Sequence, residues 1–176
     1  INGHSVVEFE PARKTMTALP KLPFELPKIS WPCGLTFDEK RQRLLLCTLG
    51  GKGYLYSYTP AAKKWAVVSS MNNDDACALA WSSDEDCLYA IARDRRGRAG
   101  AVLLRLTMNG TVTREVPLGG ELPNLGHMPK CQLIPHKDKM VLLAPGEADG
   151  EARHGQPATH SYLIDYLTGE VEYSTK

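Results

Sequence analysis

The chain has 176 residues, of which 43% are apolar and 23% are charged, and this composition is typical of a globular domain with a core of its own. Its formal net charge of +1, from 21 basic and 20 acidic side chains, gives no electrostatic reason to expect a nucleic-acid partner. The longest apolar runs, such as Ala101–Leu104 and Met140–Ala144, are far shorter than the roughly 18 residues of a membrane span. We therefore expect a soluble chain without a membrane span.

One sequence pattern occurs three times without a gap. It consists of a Cys, a Leu two residues later and a Leu eleven residues after the Cys, as in Cys33, Leu35 and Leu44; Cys77, Leu79 and Leu88; and Cys131, Leu133 and Leu142. Successive copies begin 44 and 54 residues apart, and these spacings bracket the period of the blades of a β-propeller. Because the pattern fixes the six leucines on equivalent strands, we expect all six to be buried.

Each copy of the pattern predicts four strands, A to D, joined by turns. The first twenty residues match only strands C and D, and Asn109–Gly110 is a strong signal for a tight C–D turn in the second copy. No segment has sustained helical periodicity. The predicted fold class is therefore all-β, a β-propeller segment of four-stranded antiparallel blades. A half blade is expected at 1–20 and blades at 32–73, 74–125 and 126–176, all within one propeller domain.

The five cysteines form no CxxC pair and no spacing typical of a zinc site. Three of them occupy the same position in successive copies. Such positions are usually farther apart than the roughly 5.5 to 6 Å between Cα atoms that a disulfide requires. We therefore interpret the cysteines as small buried apolar residues. No nucleophile motif is found either, so we predict no catalytic residue and no cofactor.

The first copy also contains two glycines and two aromatic residues at characteristic positions. Gly50 and Gly51 follow strand B, Tyr58 lies in strand C, and Trp65 lies seven residues later in strand D. This order and spacing resemble a kelch repeat, with its double Gly, Tyr and Trp. The resemblance implies twisted sheets arranged around a channel lined by strand A. It also implies that the B–C and D–A loops project from one face, called here the loop face.

Two stretches of the loop face have the residue types of a binding site. The first stretch holds four arginines: Arg93, Arg95, Arg96 and Arg98. Their guanidinium groups could bind a phosphate, a carboxylate or an acidic partner. Alternatively, this stretch could be a solvated loop. The second has side chains that could hold a metal ion, although its Gly, Ala and Pro content also suits a mobile loop: Glu147, Asp149, Glu151, His154 and His160. His127, in the preceding D–A loop, could join His154 and His160 in a cluster.

These observations favour a non-enzymatic propeller module that binds a protein or a carbohydrate through its loop face. The alternative is a part of a propeller-based enzyme, such as a metal-assisted hydrolase or a lactonase-like enzyme. Three and a half blades are fewer than the four of the smallest common closed ring. We therefore expect the missing blades to come from the rest of a longer chain or from an oligomer.

Overall fold

The computed structural model describes residues 6–22, 31–49, 53–70, 76–93, 100–119, 122, 131–145 and 159–174. These residues form the strands β1 (Val7–Glu10), β2 (Thr15–Ala18), β3 (Trp31–Asp38), β4 (Arg43–Leu49), β5 (Tyr54–Thr59), β6 (Lys64–Ser70), β7 (Ala76–Ser82), β8 (Cys87–Arg93), β9 (Ala101–Leu106), β10 (Val112–Pro117), β11 (Gln132–His136), β12 (Lys139–Pro145), β13 (Thr159–Asp165) and β14 (Val171–Ser174). Within these ranges, no helix is long and apolar enough to cross a membrane.

The strands form a hairpin and three antiparallel sheets, each made of strands that are consecutive along the chain. The hairpin is β1–β2, sheet 1 is β3–β6, sheet 2 is β7–β10 and sheet 3 is β11–β14. Strands A to D of each sheet are therefore its strands in chain order, as the repeated pattern predicts. The predicted all-β class of four-stranded antiparallel sheets is confirmed.

The turns between strands depend on residues that accept a left-handed backbone. Gly110 has a φ of 83° in the C–D turn of sheet 2, so the turn predicted from Asn109–Gly110 is confirmed. Gln42 and Asp86, with φ values of 49° and 47°, end the A–B turns of sheets 1 and 2 at equivalent places. Both turns therefore place a left-handed residue at the same position of the repeated pattern.

The sheets pack face to face through apolar side chains. One face of sheet 2, including Leu79, Leu88 and Leu104, is buried against Leu45 and Leu55 of sheet 1. The opposite face of sheet 2 is buried against sheet 3 in a second cluster. Side chains alternate between the two faces of a strand. In sheet 2 the residues on both faces are apolar, and each face is covered by a neighbouring sheet. This stacking places the ends of neighbouring sheets side by side.

Val6, Leu19 and Leu22, which flank the β1–β2 hairpin, pack on the other face of sheet 1, whereas the two strands of the hairpin are exposed. Trp65 and Tyr58 are directly opposite each other on β6 and β5, and their ring centroids are 5.0 Å apart. Trp65 is only 3% exposed, and its indole Nε1 donates a hydrogen bond of 2.9 Å to the carbonyl oxygen of Pro20. Trp65 is therefore buried, as expected, but it lies under residues that flank the hairpin and not under a second four-stranded sheet. Gly50 and Gly51 lie outside the described residues.

The predicted burial of the six leucines is wrong at one position and only partly right at another. Leu35 is 49% exposed, and Leu44 is half-buried. Val6, Leu19 and Leu22, beside the hairpin, pack in the cluster of Leu46, Tyr56 and Trp65. Among the described residues, no strand covers Leu35, whereas the other four leucines lie in the clusters between full sheets.

The pattern is also not free of gaps in its third copy. Leu35 lies opposite Leu46 and Leu79 lies opposite Ala90, but Leu133 lies opposite Leu142. The A–B turn of sheet 3 is thus two residues shorter than the other two A–B turns. A shift of two residues keeps a side chain on the same face of a strand, which is why Leu142 is still buried.

All five cysteines are buried and none forms a disulfide, as their interpretation as apolar residues requires. Strand A of sheet 2 contacts strand A of sheet 3, and Cys77 and Cys131 lie in the same buried cluster between these two sheets.

Candidate functional site

Two of the predicted site residues lie in described strands at the loop face. Arg93 is the last residue of β8 and lies opposite Ala101, and His160 is the second residue of β13 and lies opposite Ala144. The remaining predicted site residues lie outside the described residues: Arg95, Arg96, Arg98, His127, Glu147, Asp149, Glu151 and His154. The structure therefore bears on the proposed site only through Arg93 and His160, which lie on different sheets.

His160 belongs to an aromatic cluster at the loop face, called here the aromatic patch, made of His160, Tyr162 and Tyr173. Alternation along β13 puts His160 and Tyr162 on one face, and Tyr173 lies directly opposite Tyr162 on β14. The ring centroid of Tyr173 is 5.2 Å from that of Tyr162 and 5.5 Å from that of His160. A hydrogen bond joins His160 Nδ1 to the Tyr173 hydroxyl group.

The aromatic patch has one buried and one exposed tyrosine. Tyr162 is buried against sheet 2, and this burial raises the pKa of its hydroxyl group. Tyr173 is 50% exposed. A partly exposed tyrosine held by its neighbours offers both an apolar ring and a hydroxyl group, the combination that is enriched at binding interfaces. The patch can therefore stack against a sugar ring or an apolar side chain and make hydrogen bonds at its edge.

Sequence reasoning identified His160 but not its tyrosine partners. The available signal was the alternation of His160 with Tyr162, which is matched in sheet 1 by Tyr54 and Tyr56, whose ring centroids are 5.9 Å apart. Tyr173 could not be found in this way, because its position opposite Tyr162 depends on the register between β13 and β14.

A cleft lies at the opposite end of the sheets, between the turns of sheets 2 and 3. Its volume is about 200 Å³, and Glu85, Tyr89, Arg105 and Tyr166 are among its lining residues. Tyr89 Oη and Arg105 Nε donate hydrogen bonds of 2.9 and 3.0 Å to Glu85 Oε2. Burial opposes ionisation of this carboxyl group, but the two hydrogen bonds outweigh it and lower the pKa of Glu85.

At the corresponding place between sheets 1 and 2, ion pairs join the A–B turns of the two sheets. Arg41 Nη1 lies 2.7 Å from Asp86 Oδ1, and Lys40 Nζ lies 2.6 Å from Asp86 Oδ2. Hydrogen bonds from Arg41 and Lys40 hold the pKa of Asp86 well below its usual range. The A–B turn of sheet 3 is two residues shorter, and a second cleft, lined in part by Glu85 and Lys137, lies beside it.

The described residues contain no group of three His, Cys, Asp or Glu side chains that could hold a metal ion. Of the three histidines expected to cluster, only His160 lies in this part of the chain, and its imidazole is paired with Tyr173. The described geometry therefore provides a partly exposed aromatic surface at the loop face and a small polar cleft at the other end.

The sequence matches no protein-family model and no curated protein. Solved structures do match the fold. The chain is similar to TolB from Acinetobacter baumannii, with a TM-score of 0.57 and 11% identity over 98% of this chain and 37% of that one. It is also similar to the phage phi92 endosialidase, with a TM-score of 0.56 and 12% identity over 90% of this chain and 28% of that one. This chain is a segment of a β-propeller.

A third similar structure is a prolyl endopeptidase, with a TM-score of 0.52 and 14% identity over 97% of this chain. This propeller segment spans 22% of the prolyl endopeptidase, and it spans well under half of the other two proteins. At these identities the likeness concerns the fold alone, and functions on one fold are determined by individual sites.

Proposed function

We propose that this propeller segment is a non-enzymatic module that binds a protein or a carbohydrate through its loop face. The observation that carries the proposal is the aromatic patch, in which a half-exposed Tyr173 is held by His160 and by the buried Tyr162. An aromatic side chain held in place loses little conformational entropy when a ligand covers it. Rigid strands that present such side chains beside variable loops are a common arrangement in binding proteins.

The experiment compares two variants on arrays of immobilised oligosaccharides and immobilised proteins. Tyr173→Ala should weaken binding to the responding probe by about tenfold or more, because it removes the exposed ring of the patch. Leu167→Ala is the matched control, because Leu167 is 58% exposed and lies in the C–D turn at the other end of sheet 3. Equal binding by both variants would contradict the proposal.

The enzyme alternative is separated by metal analysis and turnover. A stoichiometric metal ion in the purified protein that is lost in the His154→Ala, His160→Ala double variant would favour a metal-assisted hydrolase or lactonase-like enzyme. Binding without metal and without turnover of the bound probe would favour the non-enzymatic module.

The kelch-type assignment of the repeat is part of the same proposal. The contact between Tyr58 and Trp65 on facing strands supports it, since these are the two aromatic positions of the resemblance.

We also propose that further blades complete the ring, supplied by a longer chain or by an oligomer. Leu35 and Phe37 support this view, because they are 49% and 39% exposed on a sheet face whose equivalents in sheets 2 and 3 are covered. Sedimentation of the 176-residue chain alone should show self-association, and a stable monomer at high concentration would argue against these open faces.

A further inference from the structure

Three side chains lie side by side across sheet 2, at the end of the sheet opposite the loop face. Tyr89 on β8 lies directly opposite Arg105 on β9, and Arg105 lies directly opposite Arg114 on β10. Directly opposite residues of antiparallel strands have Cβ atoms about 4.5 to 5.5 Å apart. The register therefore holds two guanidinium groups and a phenol ring in one row, called here the arginine row.

The arginine row borders the cleft of about 200 Å³ between sheets 2 and 3. Next to it on the same face of β9 and β10 are Leu103 and Val116, which are buried and also line the cleft. The ring of Tyr166, at the end of β13, lies against that of Tyr89, with the two centroids 5.9 Å apart. The cleft thus combines an apolar and aromatic floor with two cationic groups at its edge.

The two arginines differ in what balances their charge. Arg105 Nε donates a hydrogen bond of 3.0 Å to Glu85 Oε2, so a carboxylate of the protein is already paired with it. Arg114 Nη2 donates a hydrogen bond of 2.9 Å to the carbonyl oxygen of Leu167, which is a neutral acceptor, and Arg114 forms no ion pair with any described residue. Like charges directly opposite each other in a sheet are destabilising. An anion in the cleft would therefore balance the charge of Arg114.

The charged residues that line this cleft and the second cleft beside it have a positive balance. Three are cationic and two are anionic, which gives a net charge of +1: Arg105, Arg114, Lys137, Asp84 and Glu85. The carboxylate of Glu85 also accepts a hydrogen bond of 2.9 Å from Tyr89 Oη, so it is engaged by donors of the protein itself. The clefts therefore favour a ligand with a single negative charge.

We propose that the cleft beside the arginine row binds a small monocarboxylate with an apolar body. A guanidinium group offers two parallel N–H donors that match the two oxygens of a carboxylate. Arg114 would hold the carboxylate group beside Arg105, and the apolar body would cover Leu103 and Val116. This site lies at the other end of the sheets from the aromatic patch, so it does not depend on the proposed function of the loop face.

The size of the cleft limits the size of the ligand. Pockets for drug-sized ligands have volumes of about 300 to 1,000 Å³. A cleft of about 200 Å³ suits a smaller molecule, such as an aromatic carboxylic acid with one ring.

The test measures the binding of benzoate to the full chain by isothermal titration calorimetry. Benzoate has a carboxylate group and a planar apolar ring, and benzamide is its neutral counterpart of the same shape. We expect saturable binding of benzoate with a dissociation constant below about 10 mM. Benzamide should bind about tenfold more weakly or worse, because it lacks the charge that pairs with Arg114.

Two variants locate the site. Arg114→Gln should weaken the binding of benzoate by about tenfold or more. It should still fold, because Arg114 is exposed and a glutamine can donate a hydrogen bond to the Leu167 carbonyl oxygen. Arg13→Gln is the matched control, because it removes one arginine charge from the β1–β2 turn, where the side chain of Arg13 is 77% exposed. This control should bind benzoate as the unmodified protein does.

Equal affinities for benzoate and benzamide would overturn the proposal, and this comparison uses the unmodified protein, so it decides the question even where a variant folds poorly. An equal effect of Arg114→Gln and Arg13→Gln would also overturn it. Inorganic phosphate that binds as tightly as benzoate would show that the cleft recognises charge alone, which contradicts the assignment of a carboxylate with an apolar body. Absence of saturable benzoate binding would contradict it as well.

Discussion

Replacement of Gly34 by alanine tests the packing of sheet 1 on sheet 2. A Cβ atom at Gly34 would lie 2.5 Å from the backbone nitrogen of Leu79, 2.7 Å from Leu79 Cβ and 2.8 Å from Cys47 Sγ. Two of these three atoms cannot rotate away, so the sheets must separate locally. Overpacking of this kind costs about 1 to 3 kcal/mol, and a contact with backbone belongs at the upper end of that range.

One effect acts in the opposite direction. An alanine restricts the unfolded chain more than a glycine does, which stabilises the folded state by about 0.4 to 1 kcal/mol. The net loss in the free energy of unfolding should therefore be about 2 kcal/mol. For a domain of this size, that corresponds to a decrease of roughly 4 to 8 °C in the thermal midpoint. Urea titration and thermal denaturation, both followed by circular dichroism, measure the two quantities.

Gly100→Ala is the control, because no atom of the described residues lies within 4 Å of the Cβ that it would add. This variant should be as stable as the unmodified protein, or more stable by up to about 1 kcal/mol. If Gly34→Ala and Gly100→Ala unfold at the same urea concentration, the close approach of the two sheets at Gly34 is not real.

Three further predictions concern burial and charge. Leu88→Ala should lower the free energy of unfolding by about 2 to 5 kcal/mol and Leu35→Ala by less than about 1 kcal/mol, because only Leu88 is fully buried; equal losses in urea titrations would contradict the sheet packing. Hydrogen bonds from Arg41 and a neighbouring lysine lower the pKa of Asp86 in the folded protein. The ionised Asp86 therefore stabilises the fold at any pH above about 3.9, its pKa in the unfolded chain, and this stabilisation is lost as the pH falls through the pKa of Asp86 in the folded protein. Asp86→Asn should therefore make the thermal midpoint less sensitive to acid, and an unchanged acid dependence would show that this ion pair does not stabilise the fold. In a variant whose other two tryptophans are phenylalanine, Trp65 should emit at short wavelength and resist quenching by acrylamide, since it is 3% exposed; a red-shifted, easily quenched emission would place it in solvent.

The division of the chain into strands could be predicted from the sequence because its signals are local. Alternating apolar residues and turn residues such as Asn109–Gly110 act over only a few neighbours, so each unit of strands A to D is visible in the sequence. The length of the third A–B turn was not visible, because a deletion of two residues keeps the alternation intact and leaves Leu142 on its buried face. The pairing of strand A with strand B could therefore be predicted only up to a shift of two residues, because such a shift leaves the same side chains on the buried face.

Burial and the candidate site depended on contacts that no local pattern contains. Leu35 matches Leu79 in sequence, yet it is half exposed, because it lies outside the cluster that the residues beside the hairpin form on sheet 1. His160 was recognised as a candidate from its residue type, but its pairing with Tyr173 comes from the register of two strands. The sequence by itself determined the repeated four-strand unit, because periodicity and turn chemistry are properties of neighbouring residues. Only the tertiary structure decided which faces are covered and that an aromatic patch forms, because both require strands to pair or pack in a particular register.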